Sequence, residues 1–330
     1  MPIVIISHRS DLDGISSAAL IARYAAKYQK LPFYIALKDY ADKENIIDDI
    51  ILGTADSEIF ISDLSTNQGN IDKIIARLKI LKKNKNKIYW MDHHKTTDLI
   101  VNKLKKIVDV LDVRASNFPA SQIVYDRVYS KNGIRDSHAK MLAILGTDAD
   151  LMKLRHKITP KLVSIIDYYN YIDAGSAFYP DLVQLALSIA MPKIASKEDA
   201  LLDDMRLKEI EYYESLKKAA AKKVLDNVEI FKAGKYSFAL FNYPSLFSGS
   251  QVSVYVLNAN NVDASIGFNE HGKGSVRRKN NDIDCAEIAS HFGGGGHAFA
   301  AGFSLDFITD SASSVKKAKA LIRNKLQELY

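Results

Sequence analysis

Four short stretches put aspartate and histidine where a chain of this composition would otherwise be building core. "SHRSDLDG" (7–14) offers His8, Asp11 and Asp13. "ISD" (61–63) ends in Asp63, "WMDHHK" (90–95) holds Asp92, His93 and His94, and "GTDAD" (146–150) holds Asp148 and Asp150. Alone, each acid reads as a helix cap or a turn former. Asp63 before "LSTN" fits that role, and Asp92 fits a strand-end cap equally well. Together they are harder to explain, because several carboxylates cannot share a site without strong mutual repulsion. A pair of divalent cations would relieve it. Mixed carboxylate and imidazole donors suit manganese best, with magnesium, cobalt, iron or zinc admissible. Two such cations would lower the pKa of a bound water and so supply a hydroxide near neutral pH.

These residues can act together only if the fold gathers them. The β-branched run "PIVIIS" (2–7) predicts a strand, as do "PFYIAL" (32–37), "EIFISD" (58–63), "KIYWMD" (87–92) and "IVDVLD" (107–112). Between them, 14–28, 70–81, 119–129 and 137–146 have helical spacing. Near-continuous apolar strands alternating with helices predict a Rossmann-like parallel sheet covered on both faces. In such a sheet the ligand site lies beyond the carboxyl ends of the strands, where the four stretches would converge. Adjacent imidazoles in a continuing strand would point to opposite faces, which makes His93 and His94 an awkward pair.

From 196 to 225 the chain is charged and free of Gly and Pro, opening on a capping-box-like Ser196 and Asp199, so a linker helix is expected there. Beyond it "YSFALFNY" (236–243), "VSVYVLNA" (252–259) and "DASIGFNE" (263–270) read as short strands. "DCAEIASHF" reads as a helix, and the tail as an amphipathic helix. The expected organisation is an α/β catalytic domain (1–195), the linker helix (196–225) and a smaller C-terminal α+β domain (226–330).

The totals fit two domains: 330 residues, 47% of them apolar. The 45 Lys+Arg against 39 Asp+Glu leave a mild surplus of +6, compatible with an anionic partner without requiring one. A single cysteine, Cys285, excludes an internal disulfide and suits a reducing compartment. The opening apolar run is too short for a signal segment or a membrane span, so a cytoplasmic protein with no membrane partner is expected.

In that order, "SHRSDLDGISSA", "FISDLS", "WMDHHKT" and "GTDAD" resemble the four motifs of the DHH phosphoesterase superfamily. "GSVRRK" followed by "IASHFGGGGHAFAAGF" resembles the DHH-associated C-terminal domain found in nano-RNases (NrnB-like or NrnA-like oligoribonucleases), RecJ-like exonucleases and pAp phosphatases. The resemblance implies two divalent ions, one on His8, Asp11 and Asp63, the other on Asp13, Asp63, His93 and Asp148, with a bridging hydroxide as nucleophile. It leaves His94 for substrate phosphate or acid–base work, and Asp92 to orient an imidazole.

In the C-terminal half the glycines of "GGGGHAFAAG", Gly294, Gly295 and Gly296 among them, let backbone N–H groups approach a phosphate closely, with His297 beside them. Arg277 is suited to bidentate phosphate binding. Tyr236, Phe238, Tyr243, Phe247 and Phe299 could stack on bases, though each reads more readily as core. The function these features support is a phosphodiesterase that cuts short single-stranded RNA or DNA oligonucleotides, or linear dinucleotides, to nucleoside monophosphates. A pAp phosphatase, a cyclic dinucleotide phosphodiesterase and a catalytically inactive nucleic-acid-binding module are the alternatives. A homodimer is compatible with all of them.

Overall fold

The computed structural model describes residues 1–39, 46–66, 69–114, 117–173, 176, 178–192 and 197–330. They form two compact units, Met1–Ile210 and Glu211–Tyr330.

In the first unit the strands are β1 (Ile3–His8), β2 (Phe33–Lys38), β3 (Glu58–Ser62), β4 (Lys87–Asp92) and β5 (Val110–Val113). They form one sheet of order β2-β1-β3-β4-β5, and every pairing is parallel. Strand periodicity divides the side chains between two cores. Ile3, Ile5, Leu37, Phe60 and Met91 pack with α1 (Leu12–Arg23), α5 (Ala120–Val124), α6 (Ser137–Asp150), α7 (Thr159–Ile172) and α8 (Pro180–Ala190). Val4, Ile6, Ile59, Ile61, Ile88 and Trp90 pack on the other face with α2 (Asp49–Leu52), α3 (Ile71–Lys83) and α4 (Asp98–Lys105). The unit is therefore a doubly wound α/β fold. Its strand order reverses at β1, so the switch point lies between the ends of β1 and β3.

The "GTDAD" stretch closes α6, and every residue of α1 is buried. The small residues Ser16, Ser17, Ala18, Ala19 and Ala22 let α1 lie close to its neighbours. One tie between them has no local signature. Asp136 caps α6 by accepting from His138 N and Ala139 N, both at 3.0 Å, and its other oxygen accepts from Arg23 Nε of α1 at 2.8 Å.

The expected helix at 196–225 begins later. Ser196 lies outside the described residues, and 198–200 form a 3₁₀ turn. The helix α9 runs Asp204–Asp226, and Asp203 caps it, accepting from Arg206 N at 2.9 Å.

The second unit holds β6 (Glu229–Ala233), β7 (Tyr236–Tyr243), α10 (Gly249–Asn260), β8 (Ala264–Asn269), β9 (Lys273–Arg278), α11 (Cys285–Ser290), β10 (Gly295–His297), β11 (Ala300–Ser304) and α12 (Ala312–Leu329). They build a sheet of order β10-β11-β9-β8-β7-β6, antiparallel except at β7–β8. That exception corrects the reading of "VSVYVLNA" as a strand: the stretch lies within α10. Two adjacent parallel strands need a crossover between them, and the residues between β7 and β8 supply it as a helix. Val252, Val256 and Leu257 bury one side of α10 against Ala239, Phe241 and Tyr243, overriding their β propensity. Phe238, Leu240, Ile266, Phe268 and Val276 face the opposite way, against Ile288 of α11 and Ile322 and Leu326 of α12. Among the described residues no helix is long and apolar enough to cross a membrane.

Candidate metal centre

The ends of β1, β3 and β4, the start of α1 and the end of α6 meet at one place. Asp11 caps α1, accepting from Gly14 N at 2.9 Å, and its other carboxylate oxygen lies 2.9 Å from His8 Nδ1. Gly14 makes this approach possible. A Cβ there would sit 2.2 Å from the His8 carbonyl oxygen, so any side chain would push α1 off the end of β1. Gly14→Ala is expected to cost roughly 1–3 kcal/mol through overpacking. Chemical denaturation and manganese titration of the same variant should show stability and ion affinity falling together.

Asp63 follows β3 with φ +56, a left-handed conformation uncommon outside glycine but tolerated by Asp. Its N–H donates to Met91 O at 3.0 Å, which ties the bend to β4. The carboxylate then stands between two groups. One oxygen is 3.7 Å from His8 Nδ1; the other is 3.3 Å from His93 Nε2 and 3.9 Å from His94 Nδ1. His93 Nε2 is also 3.7 Å from Asp13 and 3.8 Å from Asp150.

The adjacent imidazoles do not split between two faces as a continuing strand would require. β4 ends at Asp92, and beyond it both rings fall together, 4.6 Å between centroids. His94 Nδ1 lies 2.8 Å from the buried Asp92 carboxylate, so the ring that Asp92 orients is that of His94.

Asp13 is buried and accepts from Ala120 N at 2.7 Å and Ser121 N at 3.0 Å, which caps α5 from across the core. Gly146 of α6 closes over this contact. A Cβ there would sit 2.4 Å from Ser121 Oγ and 3.1 Å from the Asp13 carboxylate.

At the end of α6 the geometry differs from the expectation. Asp150, not Asp148, reaches His93. Asp148 turns to the following loop, accepting from Arg155 N at 2.9 Å, His156 N at 3.2 Å and Thr159 Oγ1 at 2.7 Å. Two further histidines of this unit have other partners: buried His138 is 2.7 Å from Ile189 O, and His156 is 2.8 Å from Glu198.

Among the described residues, three groups of ligand atoms result: His8, Asp11 and Asp63; Asp63, His93 and His94; Asp13, His93 and Asp150. Within each, the ligand atoms lie within 4.8 Å of one another. Asp63 and His93 each belong to two of the groups. The electrostatics show a cluster that demands positive charge. Burial and then the carboxylates of Asp63 and Asp11 push the Asp13 carboxyl well above the usual range. Burial and Asp63 likewise raise Asp150, against the pull of His93. Burial opposes charging His8 and His93, yet the carboxylates outweigh it and lift them to about 10 and about 9. Protons here do what a cation would do. Oxygen and imidazole donors in this number fit divalent first-row metals.

The other expected residues lie in the second unit. Arg277, half-buried on β9, donates from Nη2 to Ser250 Oγ at 2.7 Å and from Nη1 to Val276 O at 2.7 Å. Gly295, Gly296 and His297 form β10 and are exposed, so the glycine run is a paired edge strand rather than a loose loop. Gly294 precedes it, where a Cβ would meet Gly302 O at 2.1 Å.

The model of the DHH family, N-terminal domain, matches residues 2–147, and that of the DHHA1 domain matches 248–328. No curated protein matches the chain. Among solved structures, a pGpG-specific phosphodiesterase (PggH) from Vibrio cholerae is similar at 13% identity and TM-score 0.54, covering 99% of both chains. An exopolyphosphatase-related protein from Bacteroides fragilis is similar at 14% identity and TM-score 0.51, covering 99% of this chain and 93% of the other. CDC45 from Entamoeba histolytica is similar at 9% identity and TM-score 0.50, covering 98% and 95%. These likenesses speak to the fold. With both family models matched in order along one chain, the protein belongs to the DHH phosphoesterase superfamily.

Proposed function

We propose that the chain is a dinuclear metal-dependent phosphodiesterase that cuts short oligonucleotides or linear dinucleotides to nucleoside monophosphates. The observation that carries this reading is the sharing of Asp63 and His93 among three ligand groups. In it, His8, Asp11 and Asp63 hold one ion, and Asp13, Asp63, His93 and Asp150 hold the other. Divalent ions bound there would offset the carboxylates, acidify a water and stabilise charge on the phosphoryl oxygens. His94 serves the substrate phosphate or transfers a proton, with Asp92 accepting from its Nδ1 and leaving Nε2 toward the substrate. The role read for the second unit is anion binding by Arg277, His297 and the backbone of Gly294, Gly295 and Gly296. The fold neighbour described as a pGpG-specific phosphodiesterase favours the linear dinucleotide form of the reading.

The test is a rate comparison with and without manganese on a linear dinucleotide, longer RNA, short DNA, pAp, a cyclic dinucleotide and polyphosphate. The reading expects manganese-dependent release of mononucleotides, fastest from the dinucleotide. No metal-dependent turnover by folded protein would favour a binding module instead. A companion pair separates the two acids of α6. Asp150→Asn is expected to weaken manganese binding tenfold or more. Asp148→Asn should lower the melting temperature while ion stoichiometry holds, because it releases the 151–159 loop rather than an ion.

A further inference from the structure

Of the five aromatic residues that could stack on bases, the fold buries Phe238 and Tyr243 and half-buries Tyr236 and Phe247. Phe299 is the exposed one, with 62% of its surface open. It lies with Ala298 in the two-residue turn between β10 and β11. That turn is anchored, since Ala298 O accepts from Cys285 N at 2.8 Å at the start of α11. The His297 ring lies parallel to the Phe299 ring, 5.3 Å between centroids and 5° between planes. A ring held in water on a fixed turn forgoes the stabilisation that burial would give.

The register supplies the second half of the argument. His297 pairs with Ala300, Ala300 with Arg277, and Arg277 with Ser265. Directly opposed residues share a face of the sheet, so the imidazole and the guanidinium lie in one row that ends at the aromatic tip. A cation, an imidazole and an open aromatic face in sequence match a phosphate that carries a planar base. A bare polyphosphate would use the cation and leave the ring idle.

We propose that Phe299 is a specificity-determining residue on which a nucleobase stacks while Arg277 and His297 bind the attached phosphate. This rests on the anion-binding role read above for the same face, and it narrows the substrate class to base-bearing phosphates. The experiment is calorimetric titration of the full-length protein with guanosine or adenosine 5′-monophosphate, with ribose 5-phosphate and pyrophosphate as base-free probes. Phe299→Ala is expected to weaken mononucleotide binding by about tenfold or more, in line with alanine substitution at other stacking sites. The base-free probes should bind it as they bind the unaltered protein, and Phe299→Trp should restore the mononucleotide. Equal loss for base-bearing and base-free ligands, or no loss for either, would overturn the assignment. Base-dependent binding without metal-dependent turnover on any substrate would sink the phosphodiesterase reading and leave the stacking assignment standing.

Discussion

Asp63→Asn is expected to abolish phosphodiester turnover, by roughly a thousandfold or more, exceeding the 10–100-fold typical of residues that merely orient a metal ligand. Asn is the informative substitution because Asp63 sits at φ +56, a conformation Asn also tolerates, whereas Ala would add strain to the loss of charge. The change removes the carboxylate within 4 Å of His8, His93 and His94 alike, so neither ion would keep its full set. In the metal-free protein the same change should cost only modest stability and leave the fold intact, since Asp63 attracts the protonated His8 and His93 rings but also repels Asp13 and Asp150, and the two effects partly offset. Rate assays with manganese, paired with thermal melts in chelator, check both halves. A variant that lost activity only because it unfolded would fail the second.

Asp136→Ala carries the largest expected stability loss, about 3–5 kcal/mol, because it leaves the buried Arg23 guanidinium without its carboxylate. It also removes the cap of α6 and the acceptor of Tyr28 Oη. Burial works against charge on Asp136, but Arg23, Tyr28, the Ala139 N–H and Lys27 outweigh it and hold its pKa well below the usual carboxylate range. A carboxyl depressed on folding contributes its stability above the unfolded-state pKa, near 4, and loses it as pH falls toward the folded value. The penalty measured by urea denaturation should therefore be full at pH 7 and shrink steadily below about pH 4. Ion affinity should fall too, since the pair joins α1, which begins at Asp11 and Asp13, to α6, which ends at Asp150.

Much of the first unit was legible in the residue pattern. Short, largely apolar runs marked all five strands, and in a parallel sheet strand ends must gather on one edge, so His8, Asp11, Asp13, Asp63 and His93 could be expected together. The choice between Asp148 and Asp150 could not be read. On a helix they point about 200° apart, so only one can face the cluster, and which one depends on how α6 is rotated against α1. Gly146 against Ser121 and Asp13 fixes that rotation, a contact between residues far apart in the chain. "VSVYVLNA" misled for a related reason: its side chains favour a strand, but the parallel pairing of β7 with β8 requires a helix there. The Arg23–Asp136 tie joins residues 113 apart and had no local sign. Phe299 could not be told from the four other aromatics, because what distinguishes it is exposure.

The most direct test of the central claim is anomalous diffraction from crystals of the protein grown in manganese. The account predicts two manganese positions in the first unit, both coordinated by the Asp63 carboxylate, with His8 and Asp11 on one and His93, Asp13 and Asp150 on the other. A single position, or ions seated away from Asp63, would contradict it.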